Sequence, residues 1–373
     1  MRVCIDISPF LYQPTGVGYY IKNVYENLCL MEEEGLEVYG ICSSFKYRIK
    51  LESKGRGKII QKRIPSKIFN YLIYRLQVPI VEKMMKRDIE IMHSSQALVM
   101  PSKRAKKIIT IHDLYFYYNG GEKIIGSKKV DKELVDRSVH QADRIICISD
   151  YTLKRFVETF PECKEKAVVI YPGFDFLMEG KEGGGAFIDL QLPKGDIFSK
   201  YVLFVGTIEE RKNLLPLIDA LGILDKRKVN IGMLLVGKVG YKGDEIIERV
   251  KDLRYVRHIG YVRDEEKKWL YKNASVLVMP SKEEGFGFPV LEAMSYGVPV
   301  IASGRSSMEE IGGDAIHLLR EVSALEIAAA IERILEDKPY RELLIEKGYQ
   351  RCKLFSWKES VKKIYREYIN LLS

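Results

Sequence analysis

Apolar residues in the first part of the chain gather into short runs separated by longer stretches of helical or loop character. Runs at residues 3–7, 38–42, 108–111, 144–148 and 167–171 have the length and composition of strands buried on both faces. The first is followed by a glycine-containing turn and an apolar-periodic helix from about Tyr19. A second series, at 201–205, 232–236, 256–259, 275–279 and 299–302, repeats the pattern with helical segments between. Strands alternating with helices imply mostly parallel sheets. Two such series imply two doubly wound α/β domains, placed at residues 1–177 and 178–355. Between them, Glu179-Gly180-Lys181-Glu182-Gly183-Gly184-Gly185 within residues 173–193 reads as a linker. The last segment, 356–373, carries Val361, Ile364, Tyr365, Tyr368 and Leu371 at the spacing of an amphipathic helix.

A length of 373 residues agrees with two domains, and 46% hydrophobic with 30% charged residues describes a soluble globular chain. Asp6 interrupts the first apolar run, which therefore reads as a strand and not as a signal peptide. No run approaches the ~18–20 apolar residues that span a bilayer. The six cysteines are scattered without a C-x-x-C pair, which argues against a zinc site or disulfide framework and fits a reducing cytoplasm. Cys4, Cys42 and Cys147 sit in apolar runs and read as core.

Charge adds a local feature. The net charge is +9, yet the stretch between Lys46 and Arg87 alone holds thirteen basic residues against two acids, Glu52 and Glu82. Its latter part interleaves Ile68, Phe69, Leu72, Ile73, Leu76, Ile80, Val81, Met84 and Met85 with lysines, broken at Gln77-Val78-Pro79. Three readings compete: a solvated surface, nucleic-acid binding, and attachment to an anionic membrane surface through one or two basic amphipathic helices. No nucleic-acid recognition motif accompanies the charge, so nucleic acid is set aside as a partner. The expected location is cytoplasmic, peripheral on the inner face of the membrane.

The chemistry concentrates after the run at 275–279. There Pro280 and Ser281 lead into Glu284-Gly285-Phe286-Gly287-Phe288, and Pro289 opens a helix carrying Glu292, placed on its first turn. Ligands of open α/β sheets bind at the carboxyl ends of strands. Glycines admit close backbone approach there, and a helix N-terminus offers N–H groups to anionic oxygen. As isolated residues, Glu284 and Glu292 are also ordinary solvated carboxylates. A glycosidase acid and nucleophile pair is a further reading, but it leaves the phosphate-type glycine and lysine elements unexplained.

The run Ser281…Glu284-Gly285-Phe286-Gly287…Pro289…Glu292, continued by Ala293-Met294-Ser295-Tyr296-Gly297-Val298-Pro299, resembles the signature of the retaining glycosyltransferases of family 4. Three further stretches extend the resemblance in the expected order: Thr15-Gly16-Val17-Gly18-Tyr19, Thr110-Ile111-His112-Asp113-Leu114, and Val205-Gly206-Thr207-Ile208-Glu209-Glu210-Arg211-Lys212-Asn213. The resemblance implies a GT-B fold, two Rossmann-like domains facing a central cleft, with the terminal helix led by Phe355-Ser356-Trp357 crossing back to the first domain. It implies His112, Arg211, Lys212 and Glu284 as catalytic residues. The donor would be bound by Gly16, Val17, Gly18, Gly206, Thr207, Asn213, Gly237, Val262, Ser281, Gly285, Phe286, Gly287, Phe288 and Glu292. Ser149 and Asp113 would lie on the acceptor side. Thr207 stands where many members carry arginine, which leaves more of the phosphate charge to Arg211 and Lys212.

The reaction so implied breaks an anomeric C–O bond to a nucleoside diphosphate with retention, the leaving phosphate helping to deprotonate the acceptor. No D-x-D sequence is present, so metal assistance is not indicated, and the nucleotide sugar is a co-substrate with no separate cofactor. A glycan or lipid-linked molecule is the expected acceptor, and the Thr207 turn inclines the donor toward GDP-mannose. Alternatives are a nucleotide-sugar epimerase or hydrolase on the same architecture, and a non-enzymatic basic protein that binds nucleotides or nucleic acid. His93, His140, His258 and His317 show no metal-like spacing and receive no role.

Overall fold

The computed structural model describes residues 1–11, 16–45, 55, 57–85, 88–118, 124–125, 128–129, 132–174 and 198–373. The Gly-rich linker stretch at 179–185, Thr15, and positions 46–54, 56 and 86–87 of the basic segment lie outside the described residues. The chain divides into two compact units, Met1–Gly173 with Phe355–Ser373, and Phe174–Leu354.

The first unit contains strands β1 (Arg2–Asp6), β2 (Glu37–Ser43), β3 (Lys58–Lys62), β4 (Ile91–Ser94), β5 (Lys106–Ile111), a short antiparallel hairpin of β6 (Ile124–Ile125) and β7 (Lys128–Lys129), then β8 (Arg144–Cys147) and β9 (Ala167–Val169). Its helices are α1 (Gly16–Cys29), α2 (Ser66–Asn70), α3 (Ile80–Met85), α4 (Tyr115–Tyr118), α5 (Lys132–Gln141) and α6 (Asp150–Thr159). The second unit contains β10 (Tyr201–Val205), β11 (Gly232–Val236), β12 (Val256–Gly260), β13 (Val276–Met279), β14 (Val300–Ser303) and β15 (His317–Leu319). Around them lie α7 (Leu214–Lys226), α8 (Gly243–Val250), α9 (Asp264–Asn273), α10 (Phe288–Ser295), α11 (Ser307–Gly312), α12 (Ala324–Glu336) and α13 (Lys338–Cys352). The final helix, α14 (Trp357–Leu372), belongs to the first unit.

Both main sheets are parallel and doubly wound. The first has the order β3-β2-β1-β4-β5-β8-β9 and the second β12-β11-β10-β13-β14-β15. Chain direction across the sheet therefore reverses between β1 and β4 and again between β10 and β13, the switch points where open α/β sheets bind ligands. Helices on both faces explain why the strands read as apolar runs: Val3, Cys4, Ile5, Ile108, Ile109 and Ile111 are all fully buried. Successive residues serve opposite layers. Ile109 and Ile111 pack with Val135, Val139 and Phe156 of α5 and α6. Thr110 and His93 face the other way, toward Tyr368 of α14.

Three strands escape the apolar-run criterion for physical reasons. β3 is a sheet edge with exposed Lys58 and Lys62 at its ends, which blunt it against further pairing. β15 is the opposite kind of edge, only three residues long. β4 is central but reads Ile-Met-His-Ser. Its polar residues are buried because they are satisfied: His93 bonds Tyr368 and Thr110, and the Ser94 hydroxyl accepts from the Met100 amide.

The basic segment takes the two-helix form. Two short helices form, α2 continuing through a π turn at Tyr71–Arg75, and α3 beginning after Gln77, whose φ is 52°. Phe69, Ile73, Val81 and Met85 go into a core cluster with Cys4, Tyr39 and Met92. Most of the apolar face expected at a membrane is thus consumed by the domain itself, leaving Ile68, Tyr71 and Leu76 exposed. Among the described residues no helix is long and apolar enough to cross a membrane.

Candidate functional site

The second unit brings the glycine turns and the charged residues to one switch point. β10 pairs with β13 through Val202↔Val276 and Leu203↔Leu277, so the turn after Val205 and the loop after Met279 emerge side by side. Gly237 holds φ at +142°, and a Cβ there would stand 1.9 Å from the Gly206 carbonyl oxygen. Only a glycine permits both that backbone and that approach. A single 3₁₀ turn, Glu210–Lys212, follows, ending at Asn213 in the left-handed region. Asn213 Nδ2 donates to the Pro280 carbonyl at 3.2 Å, and the Lys282 amide donates to the Arg211 carbonyl at 2.8 Å. The two segments are stitched together before any ligand arrives.

Their side chains form a buried charge cluster. Lys212 and Glu284, 6% and 7% exposed, are joined by a direct ion pair between Nζ and Oε1. Arg211 reaches Glu284 Oε2 at 3.3 Å, the Glu283 carbonyl at 3.0 Å and Glu209 Oε1 at 2.5 Å. Ser281 donates to Glu284 Oε1 at 2.8 Å. Burial works to raise the Glu284 carboxyl, but Lys212 and Arg211 outweigh it and hold the group below the ordinary carboxylate range. Burial and the neighbouring Arg211 push the Lys212 ammonium down, opposed by Glu284 and Glu209. The resemblance names Arg211, Lys212 and Glu284 each as catalytic; in the structure they neutralise one another.

The loop carrying Glu284 is braced from β14 and α11. Ser303 Oγ donates to the Ser281 carbonyl at 2.6 Å, and Ser307 Oγ to the carbonyls of Glu284 and Phe286 at 2.8 and 3.1 Å. Gly287 has φ +100° and caps α10 without a side-chain hydrogen bond; Pro289 brings no N–H to the first turn, and the Val290 amide donates to the Gly287 carbonyl at 2.9 Å. Phe286 is buried edge-to-face against Phe288 at 5.0 Å. Glu292 is corrected: it is the fifth residue of α10, on the second turn, and its carboxylate takes Lys267 Nζ and Tyr271 Oη of α9, each at 2.7 Å. At the far side of the sheet, Val262 is buried just beyond Gly260, while neighbouring Tyr261 is exposed beneath Lys238 Nζ at 5.4 Å from its ring. Thr207 packs its methyl close to Gly240.

The remaining candidates lie in the first unit. Gly16, Val17 and Gly18 form the first turn of α1, so their amides are helix N-terminal donors rather than loop groups. His112, half-buried past the end of β5, donates from Nε2 to the Ser95 carbonyl at 2.8 Å and meets the Tyr20 ring edge-on at 5.0 Å. That bond places the hydrogen of the neutral ring on Nε2. Asp113 is half-buried beside it. Ser149 is corrected: fully buried, it is the N-cap of α6, accepting from the Thr152 amide at 3.0 Å and donating to Thr152 Oγ1 at 2.8 Å, so no hydroxyl is presented to an acceptor. His140 and Glu162 pair at 3.1 Å, and Cys163 lies within 4.8 Å of both. Sequence spacing concealed that grouping.

Sequence reasoning also missed Glu209, Ser303, Ser307, Lys267 and Tyr271. Ser303 ends the buried strand β14 at the same carboxyl edge, which is the one signal available for it.

Two family models divide the chain between them: "Glycosyltransferase Family 4" matches residues 14–176, and "Glycosyl transferases group 1" matches residues 194–351. The chain belongs to glycosyltransferase family 4. This glycosyltransferase is 27% identical to the O-antigen chain mannosyltransferase B of Escherichia coli, over 99% of each chain. Among solved structures it resembles the sucrose-phosphate synthase of Thermosynechococcus elongatus, with a TM-score of 0.75 and 20% identity over 100% of this chain and 99% of that one. It also resembles Anabaena HepE in complex with UDP-glucose, with a TM-score of 0.73 and 16% identity over 99% and 100% of the two chains. These likenesses establish the GT-B fold for the glycosyltransferase.

Proposed function

We propose that this glycosyltransferase takes its sugar from a nucleoside-diphosphate donor, keeps the anomeric configuration, and delivers it to a glycan or lipid-linked acceptor in cell-surface polysaccharide or glycolipid synthesis. The observation that carries the reading is the Arg211–Lys212–Glu284 cluster beside the Gly206 turn. A diphosphate leaving group needs cations and N–H donors where its charge develops, and one well-placed donor contributes ~3–4 kcal/mol in the transition state. The bond from the anomeric carbon to the β-phosphate oxygen breaks as the acceptor oxygen bonds the same face. The acceptor proton passes to the departing phosphate. Arg211 and Lys212 supply the counter-charge, so no metal is required. His112 is assigned beside the transferred sugar on the family resemblance, with its ring oriented by the Ser95 carbonyl.

Mannose from GDP-mannose is the preferred donor, ahead of UDP-glucose and UDP-N-acetylglucosamine. The full-length similarity to an O-antigen mannosyltransferase supports that order; the UDP-glucose bound to HepE supports the donor class but not the sugar. The enzyme is placed on the cytoplasmic face of a membrane, with Ile68, Tyr71 and Leu76 among exposed Lys67 and Arg75 as the contact.

Thermal-shift and hydrolysis screening against a panel of nucleotide sugars tests the donor, with product anomers read by NMR and activity compared with and without EDTA. Stabilisation by no nucleotide sugar, and turnover of none, refutes the reading. A sugar nucleotide isomerised without any acceptor points instead to an epimerase, and hydrolysis that no glycan or lipid-linked acceptor diverts into a glycoside points to a hydrolase.

A further inference from the structure

The charge cluster is internally balanced, Arg211 and Lys212 facing Glu209 and Glu284. Lys212 and Glu284 are both nearly inaccessible. Neither can lose its partner cheaply, because an uncompensated buried charge is strongly unfavourable. The same carboxylate receives Lys212 and Ser281 on Oε1 and Arg211 on Oε2. Three of the carboxylate's roughly four acceptor positions are therefore taken by the protein itself. The Lys212 stem passes 3.8 Å from where a Gly206 Cβ would be, which sets the ammonium at the switch-point turn.

From this geometry we infer that Glu284 is an exchangeable counter-ion: the donor diphosphate takes over Lys212 and Arg211, and the released carboxylate accepts the sugar hydroxyls. The inference rests on the donor reading above and deepens it. A nucleoside diphosphate alone takes the cations but strands Glu284. A free sugar alone has to compete with Lys212 for the carboxylate. Together each removes the other's obstacle, so the two halves of the donor bind with positive linkage, which is reciprocal by thermodynamic necessity. Directionality follows. Once the sugar has left, Glu284 returns to Lys212 and competes with the product nucleotide for it, which hastens product release.

Wild-type enzyme provides the test. GDP and UDP are titrated calorimetrically with and without saturating mannose or glucose. The matching hexose should tighten the nucleotide by roughly 5-fold or more, the lower end of ordinary couplings. Nucleotide affinity unchanged by every hexose overturns the exchange while leaving the donor reading intact. Failure of GDP, UDP and all nucleotide sugars to bind removes both. E284Q, checked for folding, should bind the bare nucleotide about 10-fold more tightly than wild type, equivalent to ~1.4 kcal/mol, and lose the hexose effect. Weaker nucleotide binding by folded E284Q counts against the proposal. Should E284Q not fold, the wild-type linkage still decides.

Discussion

Acidification should unfold the first unit through His93, in a pH range where carboxylates contribute little. His93 is fully buried between Tyr368 Oη at 2.6 Å and Thr110 Oγ1 at 2.9 Å, and burial, with a smaller contribution from His112, lowers its pKa from 6.5 to about 3. The groups packed around it are Tyr368 from α14, Thr110 from β5 and, just past the end of that strand, His112. Asp6 lies at the end of neighbouring β1, where Ile5 pairs with His93. A depressed histidine pKa means that the unfolded chain takes up the proton first. Stability is therefore full above the ordinary value of 6.5 and falls as pH drops toward about 3. At pH 5 the unfolded imidazole is protonated and the folded one is not, a loss of about 2 kcal/mol relative to pH 7. Any folded value below about 4 yields the same figure at that pH. The perturbation is His93→Gln, which keeps hydrogen-bonding capacity and cannot titrate. The assay is urea unfolding between pH 7 and 5 in a Trp269→Phe background, leaving Trp357, buried in the first unit, as the sole tryptophan. Asp6, raised chiefly by burial, has the opposite dependence, gaining stability as pH falls, and cancels in the comparison of the two proteins. Parallel pH profiles for the parent and the His93→Gln variant would refute the reasoning.

Other outcomes test the site and its surroundings. Lys212→Met should lose ~3–5 kcal/mol of stability by leaving a carboxylate short of its partner, and Lys212→Met with Glu284→Leu should recover most of it. Urea melts read the stability and transfer assays the activity; neither variant should turn over, and a double variant less stable than the single one argues against the pairing. Ser149→Ala should cost about 1 kcal/mol as a lost N-cap, with the acceptor KM unchanged; a raised KM at wild-type stability would restore Ser149 to the acceptor side. Sedimentation with anionic vesicles should show salt-sensitive binding that Ile68→Ser with Tyr71→Ser abolishes, while equal recovery on neutral vesicles disposes of the membrane contact.

Much of the architecture is legible in the chain because parallel strands buried on both faces must be apolar throughout. That requirement marks ten strands of the two sheets in chain order. It fails at β3, β4 and β15, where an edge tolerates lysine or brevity and where His93 is buried only because a tyrosine 275 residues away bonds it. The motif residues Gly206, Arg211, Lys212, Asn213, Ser281 and Glu284 through Gly287 gather at one place, as local glycine and charge patterns at strand ends suggest.

What those patterns could not contain is who pairs with whom. Lys212 and Glu284 lie 72 positions apart and meet because β10 and β13 are neighbours across a switch point. Ser149 looks like a strand-end hydroxyl until the helix after it claims the oxygen as a cap, and Glu292 looks available until α9 delivers Lys267 and Tyr271. Sequence by itself determined the family and its fold through the resemblance of its motifs, and the strand–helix alternation and the kinds of groups at strand ends through local composition and spacing. Only the tertiary structure decided which charges are already neutralised, because burial and counter-ions are set by elements far apart in the chain.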